Sequence, residues 1–158
     1  TFQENKKISI SDLVMESWQT LKPLAEKKDV KINLLTPTEY FISGDIENLK
    51  RAFINILDNA IRFSPVNEEI QVEIFKRDSS VVTRVRDKGI GLEANEFNDI
   101  FTRFYMGDPS RTKFKKSSSG LGLSITKKII DNNNGFIKAF NHKEGGAIIE
   151  TIFKLTNE

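Results

Sequence analysis

Residues 45 to 63, DIENLKRAFINILDNAIRF, carry two stripes at helical spacing. Ile46, Leu49, Phe53, Ile56, Leu57 and Ala60 make one apolar face. Asn48, Ala52, Asn55, Asn59 and Arg62 fall within about 40° of a second line down the helix. Asp45 fits the capping position, so a helix is predicted over 45–63. Asparagine is a mediocre helix former, up to ~0.7 kcal/mol worse than alanine. Three in a line ask for a reason. Either they form a solvated face, or their amide oxygens stand beside a phosphate-bound cation. Mg²⁺ prefers oxygen and needs few protein ligands when phosphates supply the charge.

The apolar stripe has to be buried against something, and the rest of the chain supplies strands. Residues 6–10 (KKISI), 30–35 (VKINLL) and 40–44 (YFISG) read as short strands. IQVEIFK (70–76) and VVTRVR (81–86) predict a hairpin around RDSS, and 136–142 with 147–155 predict another around KEGG. Residues 11–28 look helical, with Ser11 or Asp12 to cap them and Pro23 expected to kink or shorten the segment. Residues 93–105 hold a short helical stretch or two. GLGLSITKKIIDN (120–132) predicts a helix with Gly135 as its C-terminal cap. The expected class is α+β, a two-layer sandwich of one mixed β-sheet with helices packed on one face.

The chain has 158 residues, which predicts one domain over 1–158 with no linker dividing it. Charge is nearly balanced, 24 basic against 22 acidic residues. That balance gives no argument for nucleic acid or a membrane surface as the main partner. There is no cysteine, hence no disulfide frame or thiolate chemistry. No run is long enough to span a membrane, and no signal peptide is visible. His142 is the only histidine, which excludes a His-rich metal site. The chain opens at Thr1, so it is expected to be a fragment of something longer.

Three further stretches can carry chemistry. In SVVTRVRDKGIG, Val81, Thr83, Val85 and Asp87 share one face of a strand. If the valines face the core, so does Asp87, and a buried carboxylate needs a partner. That partner is either its own loop, in an Asx-type turn, or a ligand donor such as an adenine amine. Gly89 and Gly91 would let a ring approach the backbone. In SGLGLSI, Gly120 and Gly122 open a helix whose free amides suit phosphate, or they simply pack that helix start on the sheet. The spacing is neither a dinucleotide fingerprint nor a P-loop. Between them runs a polar loop with Arg103, Arg111, Lys113, Lys115 and Lys116, either solvated or a lid over the terminal phosphates.

NILDNAIRFSP, then DKGIG, then IFTRFY, then SGLGLSI: in this order the motifs resemble the ATP-binding catalytic domain of sensor histidine kinases. That family belongs to the superfamily of DNA gyrase, the heat-shock chaperone ATPases and the mismatch-repair ATPases, whose nucleotide fold is the Bergerat type. The likeness covers nearly the whole chain, because ISISDLVMESWQTLKPLAEKKDVKINLL resembles the segment that precedes the asparagine helix in that family.

The resemblance implies a role for each matching residue. Asn59 would be the Mg²⁺ ligand and Asn55 would support the phosphates, at a position where hydrolysing relatives place a glutamate. Arg62 stands where lysine is usual, near the phosphates, and Phe63 where tyrosine is common, beside the adenine. Asp87 would hold the adenine amine. Gly89, Gly91, Ser119, Gly120 and Gly122 would shape the pocket and phosphate cradle, with Leu121 and Leu123 packed beneath the nucleotide. Phe101, Phe104 and Tyr105 match the aromatic box at the base of an ATP lid over about 102–119. Two features depart from the family: Ser117, Ser118 and Ser119 replace glycines before GLGL, and Met106 stands where arginine commonly follows the lid tyrosine. The cation that meets the γ-phosphate is then one of Arg103, Arg111 and Lys113.

The phosphoacceptor histidine of this family lies on a separate dimerisation domain. His142 follows every nucleotide motif and is expected to be an exposed turn residue, so the chain looks like an excised catalytic domain that binds Mg-ATP without phosphorylating itself. The implied partners are ATP or ADP, the phosphoacceptor dimerisation domain and, indirectly, a response regulator. The isolated domain is expected to be monomeric and cytoplasmic, in a family whose full-length members are often membrane-anchored. Two other readings of the pocket are a serine/threonine kinase of the anti-sigma-factor type and a non-catalytic nucleotide-binding scaffold.

Overall fold

The computed structural model describes residues 5–93, 96–101 and 122–156. In chain order the elements are β1 (Lys6–Ser9), α1 (Ile10–Lys27), β2 (Lys31–Leu35), β3 (Phe41–Gly44), α2 (Ile46–Phe63), β4 (Glu69–Arg77), β5 (Ser80–Arg86), α3 (Glu96–Asp99), α4 (Gly122–Asn132), β6 (Phe136–Asn141) and β7 (Ala147–Lys154).

Five strands form one mixed sheet in the order β2-β4-β5-β7-β6. The two predicted hairpins are present, and β5 joins them by pairing antiparallel with β7. β2 runs parallel to β4, with α2 in the connection between them, as a parallel pair requires. β1 and β3 pair with each other in a separate two-stranded ribbon.

The helices pack on one face of the sheet. Along β4 and β5, Ile70, Val72, Ile74, Val81 and Val85 point into the core, where Ile149 and Phe153 of β7 join them. α2 lies between α1 and α4. Its expected apolar face is buried, with Leu49, Phe53, Ile56 and Leu57 wholly enclosed. Each such side chain contributes roughly 1.5–3 kcal/mol by leaving water. Ala52, on the asparagine stripe, is buried too. The stripe therefore packs along α4 for part of its length instead of facing solvent.

Helix ends explain three departures from expectation. Asp45 caps α2 as predicted, accepting from the Asn48 N–H. α1, however, is capped by Ser9, which accepts from the Asp12 N–H at 3.3 Å. Ser9 keeps the extended backbone of β1, and that geometry is what a capping residue needs. Pro23 neither ends nor shortens α1. Pro23 and Gln19, whose carbonyl lacks a helical partner there, are both exposed, so water can take the lost bond. At the end of α4 the left-handed residue is Asn134, φ 61°, and not Gly135. The Gly135 N–H reaches back to Ile130 O and the Asn134 N–H to Asp131 O, a Schellman closure. Glycine at 135 serves a different need: a Cβ there would overlap the Phe153 ring.

Candidate functional site

α2 and the end of β5 meet at one narrow pocket. Asn59 and Phe63 come from α2, Asp87 from the end of β5, Leu92 from the loop that follows, Leu123 from the first turn of α4 and Ile149 from β7. Asp87 is 4% exposed, on the same face as the buried Val81, Thr83 and Val85. The foreseen Asx turn forms, and the side chain also stands at the pocket. Its Oδ1 accepts from the Gly89 N–H at 2.9 Å, the Asx turn, and from the Ala147 N–H at 3.4 Å. The turn and the pocket floor are one structure, because the turn fixes the carboxylate where a ligand donor could meet it.

The glycines around Asp87 have separate reasons. Gly89 has no room for a Cβ, which would overlap the Phe63 carbonyl. Gly91 needs its side-chain freedom twice: its φ is 79°, and a Cβ would lie 2.9 Å from Asn141 Oδ1. Asn141 in turn ties the loop to the second hairpin, accepting from the Leu92 N–H at 2.8 Å and donating to Leu92 O at 2.7 Å. Gly146 also has positive φ, 86°, and a Cβ there would overlap Asp87 O. Asn141 and Gly146 escape a sequence reading because one ends a strand and the other closes the turn of what looks like an ordinary hairpin.

The asparagine stripe divides into three environments. Asn48 bonds its own cap, Asp45 Oδ2, at 2.8 Å. Asn55 is half-buried and donates to Gly122 O at 3.1 Å, which ties α2 to the start of α4. The Thr126 hydroxyl donates to the same carbonyl at 2.7 Å. Asn59 is half-buried at the pocket. Asn59 is the one residue of the stripe among those lining this pocket, and an amide oxygen is a hard donor of the kind that suits a magnesium ion taking its charge from phosphate. Arg62, one turn on, is bonded through Nε to both oxygens of Asp58 at 3.1 Å. The pair spans one helical turn and is about a quarter exposed on either side, where such pairs are worth about 1 kcal/mol or less.

Phe101 is buried in the core, and its neighbour Ile100 lines the pocket. Phe104, Tyr105, Ser119, Gly120 and Leu121 lie outside the described residues, as do the expected lid and its cations. His142 is half-buried and not exposed. Its Nδ1 accepts from the Glu144 N–H at 3.0 Å, and its Nε2 lies 3.4 Å from Arg86.

One residue near the site is not foreseen at all. Lys28, just past α1, sends its ammonium to the carbonyl oxygens of Ile61, Arg62 and Ser64 at the end of α2. Burial and the Arg62 charge lower its pKa from 10.5, and the attraction of Asp87 opposes them. A lysine at a helix end in the sequence reads as solvated, so only the structure brings it here.

With that geometry in place, the sequence profile of the family described as "Histidine kinase-, DNA gyrase B-, and HSP90-like ATPase" matches residues 44–157. The chain belongs to this family. The matched region of the ATPase domain runs from Gly44, before the cap of α2, past the end of β7. The chain is 34% identical over 151 residues to the sensor protein SphS of Synechococcus elongatus, an alignment covering 92% of this chain and 37% of that protein. It is 29% identical over 140 residues to the sensor-like histidine kinase SenX3 of Mycolicibacterium smegmatis, covering 89% and 36%. The chain thus spans a little over a third of the curated relatives it matches. Among solved structures, a nucleotide-free catalytic domain of histidine kinase ThkA superposes with a TM-score of 0.83 at 24% identity, covering 98% of this chain and 100% of that one. The expected fold class holds, and the ATPase domain is of the histidine kinase type. Among the described residues no helix is long and apolar enough to cross a membrane.

Proposed function

We propose that this ATPase domain binds Mg-ATP and donates the γ-phosphoryl group to a histidine on a separate domain of a longer protein, in two-component signalling. The observation that carries the reading is the meeting of Asn59, Phe63 and Asp87 at one pocket, with Asn55 of the same helix bonded to the start of α4. An adenine amine donates to Asp87, whose turn bonds already hold the carboxylate in place. Phe63 lies beside the ring. The pocket is narrow, so its walls part to admit a base. Asn59 would hold Mg²⁺, and Asn55 and Arg62 would face the phosphates; the ion, when bound, would supply charge neutralisation.

Transfer breaks the bond from the β–γ bridging oxygen to the γ-phosphorus and forms a bond from that phosphorus to a neutral imidazole nitrogen. ADP leaves. The nucleophile needs little activation, so the domain's contribution is positioning and neutralisation. That Asn55 is an amide and not a carboxylate suits phosphotransfer better than water activation. A response regulator is met indirectly, through the phosphorylated histidine.

Calorimetric titration with ADP, with and without Mg²⁺, tests this. Adenine-selective binding strengthened by Mg²⁺ is expected. In Asn59→Ala the Mg²⁺-dependent part is expected to fall by at least about tenfold. An unchanged Mg-ADP affinity in that variant removes the metal assignment.

A further inference from the structure

We propose that Lys28 is a positioning residue for adenine recognition, holding the end of α2 so that Phe63 and Asp87 keep their places around the base. The inference rests on the reading of Asp87 given above. Lys28 lines no part of the pocket wall, so it acts through other residues.

The argument follows the bonds. The last carbonyls of a helix have no intrahelical partner and carry the negative end of its dipole. At an exposed helix end water serves them. At the end of α2 a lysine from beyond α1 crosses to do it, taking Arg62 O at 3.2 Å, Ser64 O, and Ile61 O at 2.8 Å, which the Ser64 N–H also reaches at 3.2 Å. These carbonyls bracket Phe63. The Lys28 carbonyl also accepts the Asn67 N–H at 2.8 Å, so the chain leaving α2 is held twice by one residue. The remaining carbonyl of the bracket, Phe63 O, is where Gly89 comes too close for a Cβ. The Gly89 N–H is a donor to Asp87. A shift at the end of α2 therefore reaches Asp87 through a single contact.

Charge runs the same way. Asp87 is nearly sealed from water, and a buried carboxylate keeps its charge only with favourable groups nearby. Asp87 attracts the Lys28 ammonium, an influence that burial and Arg62 outweigh. The ammonium is engaged with the carbonyls and is not among the residues lining the pocket, so its charge acts toward Asp87 without occupying the place of the amine.

The test uses the 158-residue chain and two nucleotides that differ at one group, ADP and IDP. ADP offers an amine to Asp87, whereas IDP offers a carbonyl there. Wild type is expected to prefer ADP, and Asp87→Asn to lose most of that preference. Lys28→Met is expected to lower the ratio of ADP to IDP affinity by at least about fivefold, and Lys28→Arg to restore most of it. If Lys28→Met does not fold, Lys28→Gln is compared in its place. A Lys28 variant that weakens both nucleotides equally, or neither, overturns the proposal, because a plain helix cap predicts an unchanged ratio. If Asp87→Asn itself keeps the preference, the adenine reading fails and the Lys28 proposal falls with it.

Discussion

Two carboxylates are buried on opposite faces of the same sheet, and their surroundings differ in kind. Asp87, at the end of β5 on the helix side, is 4% exposed and is bonded by backbone N–H groups of Gly89 and Ala147. Glu150, in the middle of β7 on the outer side, is wholly buried. Arg84 Nε meets its Oε2 at 2.6 Å and Lys138 Nζ lies 3.5 Å from its Oε1. The Arg84 guanidinium also stacks over the rings of Phe75 and Phe140, 5.1 and 5.6 Å from their centroids. Glu150 is thus roofed by cations and aromatic rings and fastens β5, β7 and β6 together. Asp87 is held by the backbone and turned to a pocket. Burial of a charge is common to both and marks neither as functional. What separates them is whether the neutralising side chains close over the carboxylate or stay behind it.

The comparison can be broken in order of expected effect. Gly146→Ala should be the most damaging, because its Cβ would overlap Asp87 O at a φ of 86°. A loss of about 3 kcal/mol or more is expected in urea unfolding, with weaker ADP binding alongside. Arg84→Met should cost about 2 kcal/mol, below the usual value for breaking a buried pair because Arg84 is a third exposed. Its ADP affinity should match wild type, and a clear loss would mean that the two faces are not independent. Asp87→Asn should reverse the pattern, with stability nearly kept while ADP affinity falls by about 1.5 kcal/mol, roughly tenfold. If that variant lost stability and kept its affinity, Asp87 would be the structural carboxylate of the two.

The smallest effect concerns pH. The Lys28 pKa is lowered in the fold, so between that value and 10.5 the unfolded chain binds more protons. Stability should then rise with pH across that window, and Lys28→Met should lack the rise. Unfolding free energies of the two proteins, compared from neutral pH upward, check the sign. A gap that shrinks with rising pH would contradict it.

Much of this was legible in the sequence because α2 obeys two rules at once. Its apolar stripe predicted burial against a sheet, and its asparagines left two readings of the other side, a solvated face or a row of oxygen donors. Asp87 was legible because strand alternation carried the core face to the second residue beyond Val85. What stayed hidden depended on partners far along the chain. Ser9 was passed over for Ser11 and Asp12, which suit a cap equally well by type; the backbone of β1 decided among them. Pro23 was expected to kink or shorten α1, but its effect depends on whether the freed carbonyl faces water. Lys28 and Glu150 are charged residues that a sequence places at the surface by default. Only the fold brings a helix end to one and a pair of cations to the other. Asn141 and Gly146 were hidden likewise, since the pattern of a hairpin says nothing of the loop that packs on it.

The parallel pairing of β2 with β4 has a consequence for how the site comes into being. Those strands can meet only after residues 36 to 68 have been folded back, and α2 lies within that stretch. Zipping this edge of the sheet and setting Asn55 and Asn59 in place are then parts of one slow, long-range event. Amide exchange should report it: the protection of β2 and that of α2 should appear and vanish together, and a chain with that edge open would have no nucleotide site to offer.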